Sequence, residues 1–223
     1  MPKQPLIVGN PVLVVVDMQE SGDMPVEEVG IPHMAGYADR IANARQLIAA
    51  ARAATIPIVF FQEVHRASGV DFGRELDGVE GPHCIEGRPG TPLHPELLPD
   101  FDGPSPEFHI VKRRYSGFIG TEFEIVLSGL KADTLILIGG LTDVCVHYTF
   151  ADAHQRDFYV RVVTDCVGGS SQYRHDAALD AMEYLQTGAM RTTEEILDAF
   201  SGRRRQSGSD ASLTTPALEG AAR

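Results

Sequence analysis

Cysteine is scarce in this 223-residue chain: Cys84, Cys145 and Cys166 are all it has. An odd number of thiols without close spacing excludes a disulfide framework and a structural zinc cluster, so reduced thiols are expected. Basic residues are also few, 19 Lys and Arg against 31 Asp and Glu, for a formal net charge of −12. Nucleic acid and anionic membranes bind through basic patches. Neither is an expected partner, and a small molecule is. No apolar run approaches the ~20 residues that cross a bilayer. The opening MPKQPLIVGN lacks the basic and apolar regions of a secretory signal. A soluble, cytoplasmic protein is the expectation.

What is present is a core and an alternation. With 43% hydrophobic residues, the chain can bury one full core, expected over residues 1–200. Val12 to Asp17 and Thr134 to Gly140 are continuous apolar runs, the pattern of parallel strands covered on both faces. Ile56 to Phe61, Phe108 to Lys112 and Tyr159 to Thr164 read as further strands, and residues 188–191 as a short edge strand. Between them, Ile41, Ala44, Ile48 and Ala51 recur at helical spacing, as do Phe123, Val126, Leu127 and Leu130 after Thr121 and Glu124, a capping box. Helices are also expected over about 144–157 and 175–186, and from Thr192, capped reciprocally by Glu195. Residues 63–107, rich in Gly, Pro, His and acids, read as a loop covering a site. Residues 201–223 lack periodicity and read as a disordered tail, with Arg203 to Arg205 a solvated run.

Cys145, in GGLTDVCVHYT, lies just past a glycine-ended strand, where open α/β sheets place their ligand crevices. A thiol in the first turn of a helix meets the positive end of the backbone dipole, which lowers its pKa. Position alone leaves two readings, a nucleophile or a small buried hydrophobe. Asp17 and Lys112 end two other strands, and in a doubly wound sheet all three would converge on one edge. Singly, a strand-end Asp is also a common cap and a Lys a common solvated charge. His147, two positions beyond Cys145, falls on a different helical face and is the weaker candidate base. Cys84 and Cys166 read as structural.

Asp17 in VVVDMQ, Lys112 in VKRRYSGF and Cys145 in GGLTDVCVHYT resemble, in that order, the three signature segments of the isochorismatase-like cysteine hydrolases. That superfamily contains nicotinamidases, N-carbamoylsarcosine amidohydrolases and related amidases, and the resemblance covers about residues 10–190. It implies a Rossmann-like α/β three-layer sandwich, a six-stranded parallel sheet with helices on both faces, in a homodimer or homotetramer. It implies an Asp17, Lys112 and Cys145 triad that cleaves the C–N bond of a small carboxamide or ureido compound through a thioester and releases ammonia. Backbone N–H groups of Thr142 and Cys145 would form the oxyanion hole, with a cis peptide between Leu141 and Thr142. Alternatives are a metal-assisted nicotinamidase, a vinyl-ether hydrolase acting on isochorismate, and an inactive ligand-binding homologue.

No cofactor is required by that chemistry. Even so, Glu63, His65, Asp71 and His83 are similar in spacing to the nicotinamidase metal site, so Zn, Fe or Mn could bind there; the alternative is hydrogen bonding at the pocket rim. Glu63 stands where Asp is usual and Asp71 where His is usual. Gln19, Phe61, Glu63, Tyr115, Phe118 and Tyr148 are candidate substrate contacts, the aromatics being equally suited to the core. Where relatives have Asn-Asp-Phe after DMQ, this chain has Glu20-Ser-Gly-Asp23, which alters the wall beside Asp17. Arg113 and Arg114 could fork a substrate carboxylate.

Overall fold

The computed structural model describes the backbone of residues 5–211 and side chains through residue 203. Among the described residues, one fully parallel sheet has the order β3-β2-β1-β4-β5-β6. Its strands are β1 (Pro11–Val16), β2 (Ile58–Glu63), β3 (Glu107–Lys112), β4 (Thr134–Gly140), β5 (Tyr159–Gly168) and β6 (Met190–Arg191). The helices are α1 (Val26–Val29), α2 (Tyr37–Ala53), α3 (Phe123–Leu130), α4 (His147–His154), α5 (Gln172–Leu185) and α6 (Thr193–Ala211).

β1 shows why its sequence is uninterrupted. Val12, Val14 and Val16 face Phe123 and Leu127 of α3, Phe150 of α4 and Met182 of α5. Leu13 and Val15 face Ile41, Leu47 and Ile48 of α2 and Ile196 and Phe200 of α6. Both faces are therefore apolar, and a polar residue anywhere in the strand would be buried without partners. Each such aliphatic or aromatic side chain contributes about 1.5–3 kcal/mol on burial. The result is three layers, with α2 and α6 on one face and α3, α4 and α5 on the other.

Several boundaries differ from expectation. The helix expected at 144–157 is split into a π-type turn, Thr142–Val146, followed by α4. Helix α5 begins earlier than expected, where Ser171 Oγ accepts from Arg174 N–H. At α3, Thr121 Oγ1 accepts from Phe123 N–H at 3.1 Å, but Glu124 does not complete the box and stands 3.6 Å from Arg156. At α6 the box closes in both directions: Thr192 N–H donates to Glu195 Oε2 at 3.0 Å and Glu195 N–H to Thr192 Oγ1 at 3.3 Å. Helix α6 then runs to Ala211, so residues 201–211 are helical; buried Ile196 and Phe200 anchor it, and Arg203 donates to Gly9 C=O. The remainder of the expected tail, 212–223, lies outside the described residues.

Strand order reverses between β1 and β4, because the chain first builds outward through β2 and β3 and then returns to β1's other side. Loops diverge there at the strands' carboxyl ends and leave a crevice. Asp17 follows β1, Glu63 ends β2, Lys112 ends β3 and Cys145 follows β4, all on that edge. No helix among the described residues is long and apolar enough to cross a membrane.

Candidate active site

The ends of β1 and β4 nearly touch. A Cβ on Gly139, at φ +113°, would stand 2.0 Å from Val16 C=O, so only glycine permits this approach. Asp17 takes φ 48°, a left-handed conformation that Asp tolerates better than most residues, and this turns the chain out of the sheet. The cis peptide stands at Gly140–Leu141, one bond before the position expected. Within the following turn, Val144 N–H and Val146 N–H both donate to Leu141 C=O at 3.1 Å. Thr142 Oγ1 lies 2.9 Å from His175 Nδ1, and the Asp143 carboxylate accepts from Ser170 N–H at 2.8 Å and Ser170 Oγ at 2.6 Å. The start of α5 thereby clamps the turn.

Lys112 is the centre of charge. It is 1% exposed, and its Nζ lies 2.7 Å from Asp17 Oδ2, 2.6 Å from Glu63 Oε2 and 3.3 Å from Cys145 Sγ. Cys145 Sγ is also 3.4 Å from Glu63 Oε2. One oxygen of Asp17, one of Glu63 and the sulfur all fall within 4.8 Å of one another. Lys112 is the charge partner of Asp17, whose two oxygens are buried. Asp17, Lys112 and Cys145 are thus brought together with a fourth member, Glu63, which the β2–β3 register sets directly opposite Lys112.

Burial dominates the electrostatics. It raises Asp17 to about 6, against the lowering effect of Lys112 and with the help of Glu63. Glu63 resists the same burial: Lys112, His65 and His83 hold its carboxyl well below the usual range. Burial also pushes the Cys145 thiol well up, despite Lys112, with Asp17 and Glu63 adding to the rise. The lowered thiol pKa expected from a helix start is overturned here, because full burial beside two carboxylates outweighs the backbone dipole. The thiol therefore needs a base, and Asp17 titrates where a base is useful.

A pocket opens over the sulfur, walled by Asp17, Gln19, Tyr37, Arg40, Glu63, Glu80, His83, Tyr115, Leu141, Val144 and Cys145 among others. Of the expected substrate contacts, Gln19, Glu63 and Tyr115 line it. The amide of Gln19 is already engaged, donating to Glu63 C=O and Thr91 C=O and accepting from Glu63 N–H, so it ties the loop to β2. Phe61 and Phe118 do not line the pocket: both pack edge-on against Phe123 at 4.8 Å within the core. Tyr148 is 54% exposed and stands behind Tyr115, rings 5.6 Å apart. Arg113 and Arg114 are spent on the loop, Arg113 pairing with Asp71 at 3.2 Å and Arg114 donating to Asp71 C=O at 2.6 Å. His147 is not among the lining residues. Tyr37, Arg40 and Glu80 were not anticipated, since nothing local in the sequence separates them from surface residues.

Glu63, His65 and His83 gather behind the triad. His83 Nε2 lies 3.0 Å and His65 Nε2 3.3 Å from Glu63 Oε1. Asp71 does not join them, because its carboxylate accepts the Arg66 N–H and its nearer oxygen is 3.7 Å from the far ring nitrogen of His65. The fourth converging group is Glu75. Its Oε2 lies 3.0 Å from His65 Nε2, and burial, which would lower His65, is overcome by Glu63 and Glu75, which together raise it to about 9. Two imidazoles and two carboxylates are a donor set that suits a divalent ion of the Zn, Mn or Fe kind.

Comparison with known proteins identifies the family and the fold. Residues 11–195 match the isochorismatase domain family model. The chain is 28% identical over 221 residues to the ureidoacrylate amidohydrolase RutB of Pseudomonas syringae pv. syringae, covering 86% of this chain and 84% of that one. Among solved structures, N-carbamoylsarcosine amidase from Thermoplasma acidophilum is 25% identical with a TM-score of 0.67, over 83% of this chain and 97% of that one. The pyrazinamidase/nicotinamidase of Streptococcus mutans is also 25% identical, with a TM-score of 0.70 over 82% and 100% of the two chains. A six-stranded parallel sheet, a crevice at its reversal point and a match spanning most of the length lead to one conclusion: this chain belongs to the isochorismatase family and is a hydrolase.

Proposed function

We propose that the protein is a cysteine amidohydrolase that cleaves the C–N bond of a small carboxamide or ureido compound. The observation that carries this reading is a single buried ammonium holding two carboxylates beside a thiol at the floor of a pocket. Asp17, paired with Lys112 and raised by burial to about 6, takes the thiol proton as Cys145 Sγ attacks the carbonyl carbon. Lys112 stabilises the resulting thiolate, and Glu63 keeps Lys112 oriented between the reacting groups. The oxyanion accepts hydrogen bonds from the backbone N–H groups of Thr142 and Cys145, each such donor being worth roughly 10²–10³ in rate. Protonated Asp17 returns its proton to the departing nitrogen, ammonia leaves, and a thioester remains on Cys145. Water then gives a proton to Asp17 and attacks the thioester, and the thiol is regenerated.

The names of the relatives support a linear amide or ureido acid, since ureidoacrylate and N-carbamoylsarcosine both present such a bond. The cluster behind the triad favours metal-assisted nicotinamide hydrolysis as a second reading. Glu63, His65 and His83 would hold the ion, which when bound supplies a Lewis acid to the pocket.

Ammonia release from ureidoacrylate, N-carbamoyl amino acids, maleamate, biuret and nicotinamide, with and without chelator, separates the two readings. Turnover of a ureido acid that ignores chelator supports the first, and chelator-sensitive nicotinamide turnover the second. Intact mass should show an acyl adduct on Cys145. Hydrolysis unchanged in Cys145→Ala would reject both.

A further inference from the structure

Arg40 is a cation in the pocket wall for which the proposed reaction has no use. It stands in the first turn of α2 and reaches over the end of β5, where a Cβ on Gly168 would come within 2.6 Å of its Nε and Cζ. The guanidinium fills the space that glycine leaves there. Gly168 pairs in register with Gly140, so the guanidinium stands one strand away from the turn that carries Cys145.

The loop before α2 holds one edge of the fork. Nη1 donates to Ala35 C=O at 2.9 Å and Nη2 to Met34 C=O at 3.0 Å, and Met34 N–H in turn donates to Gly169 C=O at 2.9 Å. Both acceptors are neutral carbonyls, and a guanidinium has further N–H donors to give. Among the described residues no carboxylate forms an ion pair with Arg40; burial lowers its pKa, and Tyr37, Cys166 and Asp39 do not offset that. A half-buried cation bonded only to neutral groups carries a charge that its surroundings leave unbalanced.

Tyr37, whose hydroxyl donates to Gln19 C=O at 2.6 Å, lies within electrostatic reach of both Arg40 and Asp17. The pocket wall thus runs from the reacting groups past Tyr37 to the guanidinium. Arg113 and Arg114, the forks expected from the sequence, are tied to Asp71, which leaves Arg40 as the arginine that faces the pocket. A planar carboxylate matches the guanidinium fork and brings a single charge. A phosphate dianion would meet greater repulsion from Asp17, Glu63 and Glu80 in the same pocket.

We propose that Arg40 determines specificity by donating hydrogen bonds to a carboxylate at the end of the substrate remote from the scissile bond. The proposal rests on the amidohydrolase reading for the bond that breaks, and a neutral amide such as nicotinamide would leave Arg40 unanswered.

Binding is read by calorimetry in full-length Cys145→Ala, which removes the nucleophile, so affinity is measured apart from turnover. The probes are N-carbamoylglycine and N-carbamoyl-β-alanine, each against its methyl ester. The acid of at least one pair should bind at least about tenfold more tightly than its ester, the worth of a charge-assisted hydrogen bond. Adding Arg40→Gln should erase that preference by weakening the acid while the ester keeps its affinity; a merely structural role for Arg40 would weaken both alike. If the Gln variant does not fold after losing its bonds to Ala35 and Met34, Arg40→Lys replaces it, with the acid weakened and the ester unaltered still expected. Equal affinity of acids and esters, no binding of either acid, or a preference that survives substitution of Arg40 overturns the proposal. An acid preference in Cys145→Ala that depends on Arg40, with no ammonia released from either acid by the wild type, would reject the amidohydrolase reading and leave the carboxylate site standing.

Discussion

Replacing Glu63 with Gln removes one of the two negative charges that share the Lys112 ammonium, and its effect on Asp17 has a definite sign. Asp17 titrates at about 6 because burial and, to a lesser degree, Glu63 outweigh the pull of Lys112. The two carboxylates approach within 4.8 Å. At an effective dielectric constant of about 20, unit charges at that distance repel by about 3–4 kcal/mol, or roughly 2.5 pK units. Burial remains in the variant, so only part of the displacement is released and a fall of about one to two units is expected. Because Asp17 must be ionised to accept the thiol proton, alkylation of Cys145 by iodoacetamide should rise with pH along an acid limb near 6 in the wild type. In Glu63→Gln that limb should move toward lower pH. Lys112→Met, which removes the lowering charge, should move it the other way. Peptide mass distinguishes Cys145 from Cys84, which is also partly accessible. A limb that stays in place in Glu63→Gln, or climbs, refutes the reasoning.

Two further outcomes are expected. The folded-state pKa of Asp17 lies above its ordinary 3.8 at about 6, so its contribution to stability is complete below 3.8 and is lost as pH rises through 6. Asp17→Asn should therefore stabilise the protein by up to about 3 kcal/mol at pH 8 with no gain at pH 3.5, while abolishing turnover; urea unfolding at both pH values reads this. Gly139→Ala forces a Cβ to 2.0 Å from Val16 C=O at φ +113°. Urea unfolding should show a loss of at least about 3 kcal/mol, and an unaltered midpoint would contradict the close approach of β1 and β4.

The sheet was legible because each strand near its centre is covered twice, which leaves runs such as LVVV and LILI with no polar alternation to misread. Convergence of Asp17, Lys112 and Cys145 followed from parallel strands sharing a carboxyl edge. The role of Glu63 beside Lys112 was not legible, since it depends on the register of β2 against β3, which no local pattern encodes. Glu75 was hidden for a different reason: it stands in a polar loop where acids are common, and only the fold carries it back over β2. Asp71 had the better spacing, but spacing along a loop does not fix which carboxylate turns inward. Phe61 and Phe118 were ambiguous because an aromatic near a strand end serves a core as well as a pocket, and Phe123 decides the matter. The end of α6 was obscured by its small polar composition, which reads as coil unless Ile196 and Phe200 are known to pin its first half.

Residues 64–106 link β2 to β3 without contributing a strand, and they supply Glu80, His83 and Cys84 to the pocket wall. The thiol, its base and the ammonium stand at the ends of sheet strands, whereas this part of the mouth is held by side chains and single backbone bonds, such as Gln19 to Thr91 C=O and His94 N–H to Met18 C=O. Variation at Glu80 or Cys84 can therefore redraw which molecules gain admission, whereas variation at His65 or His83 reaches the bond-breaking apparatus through Glu63.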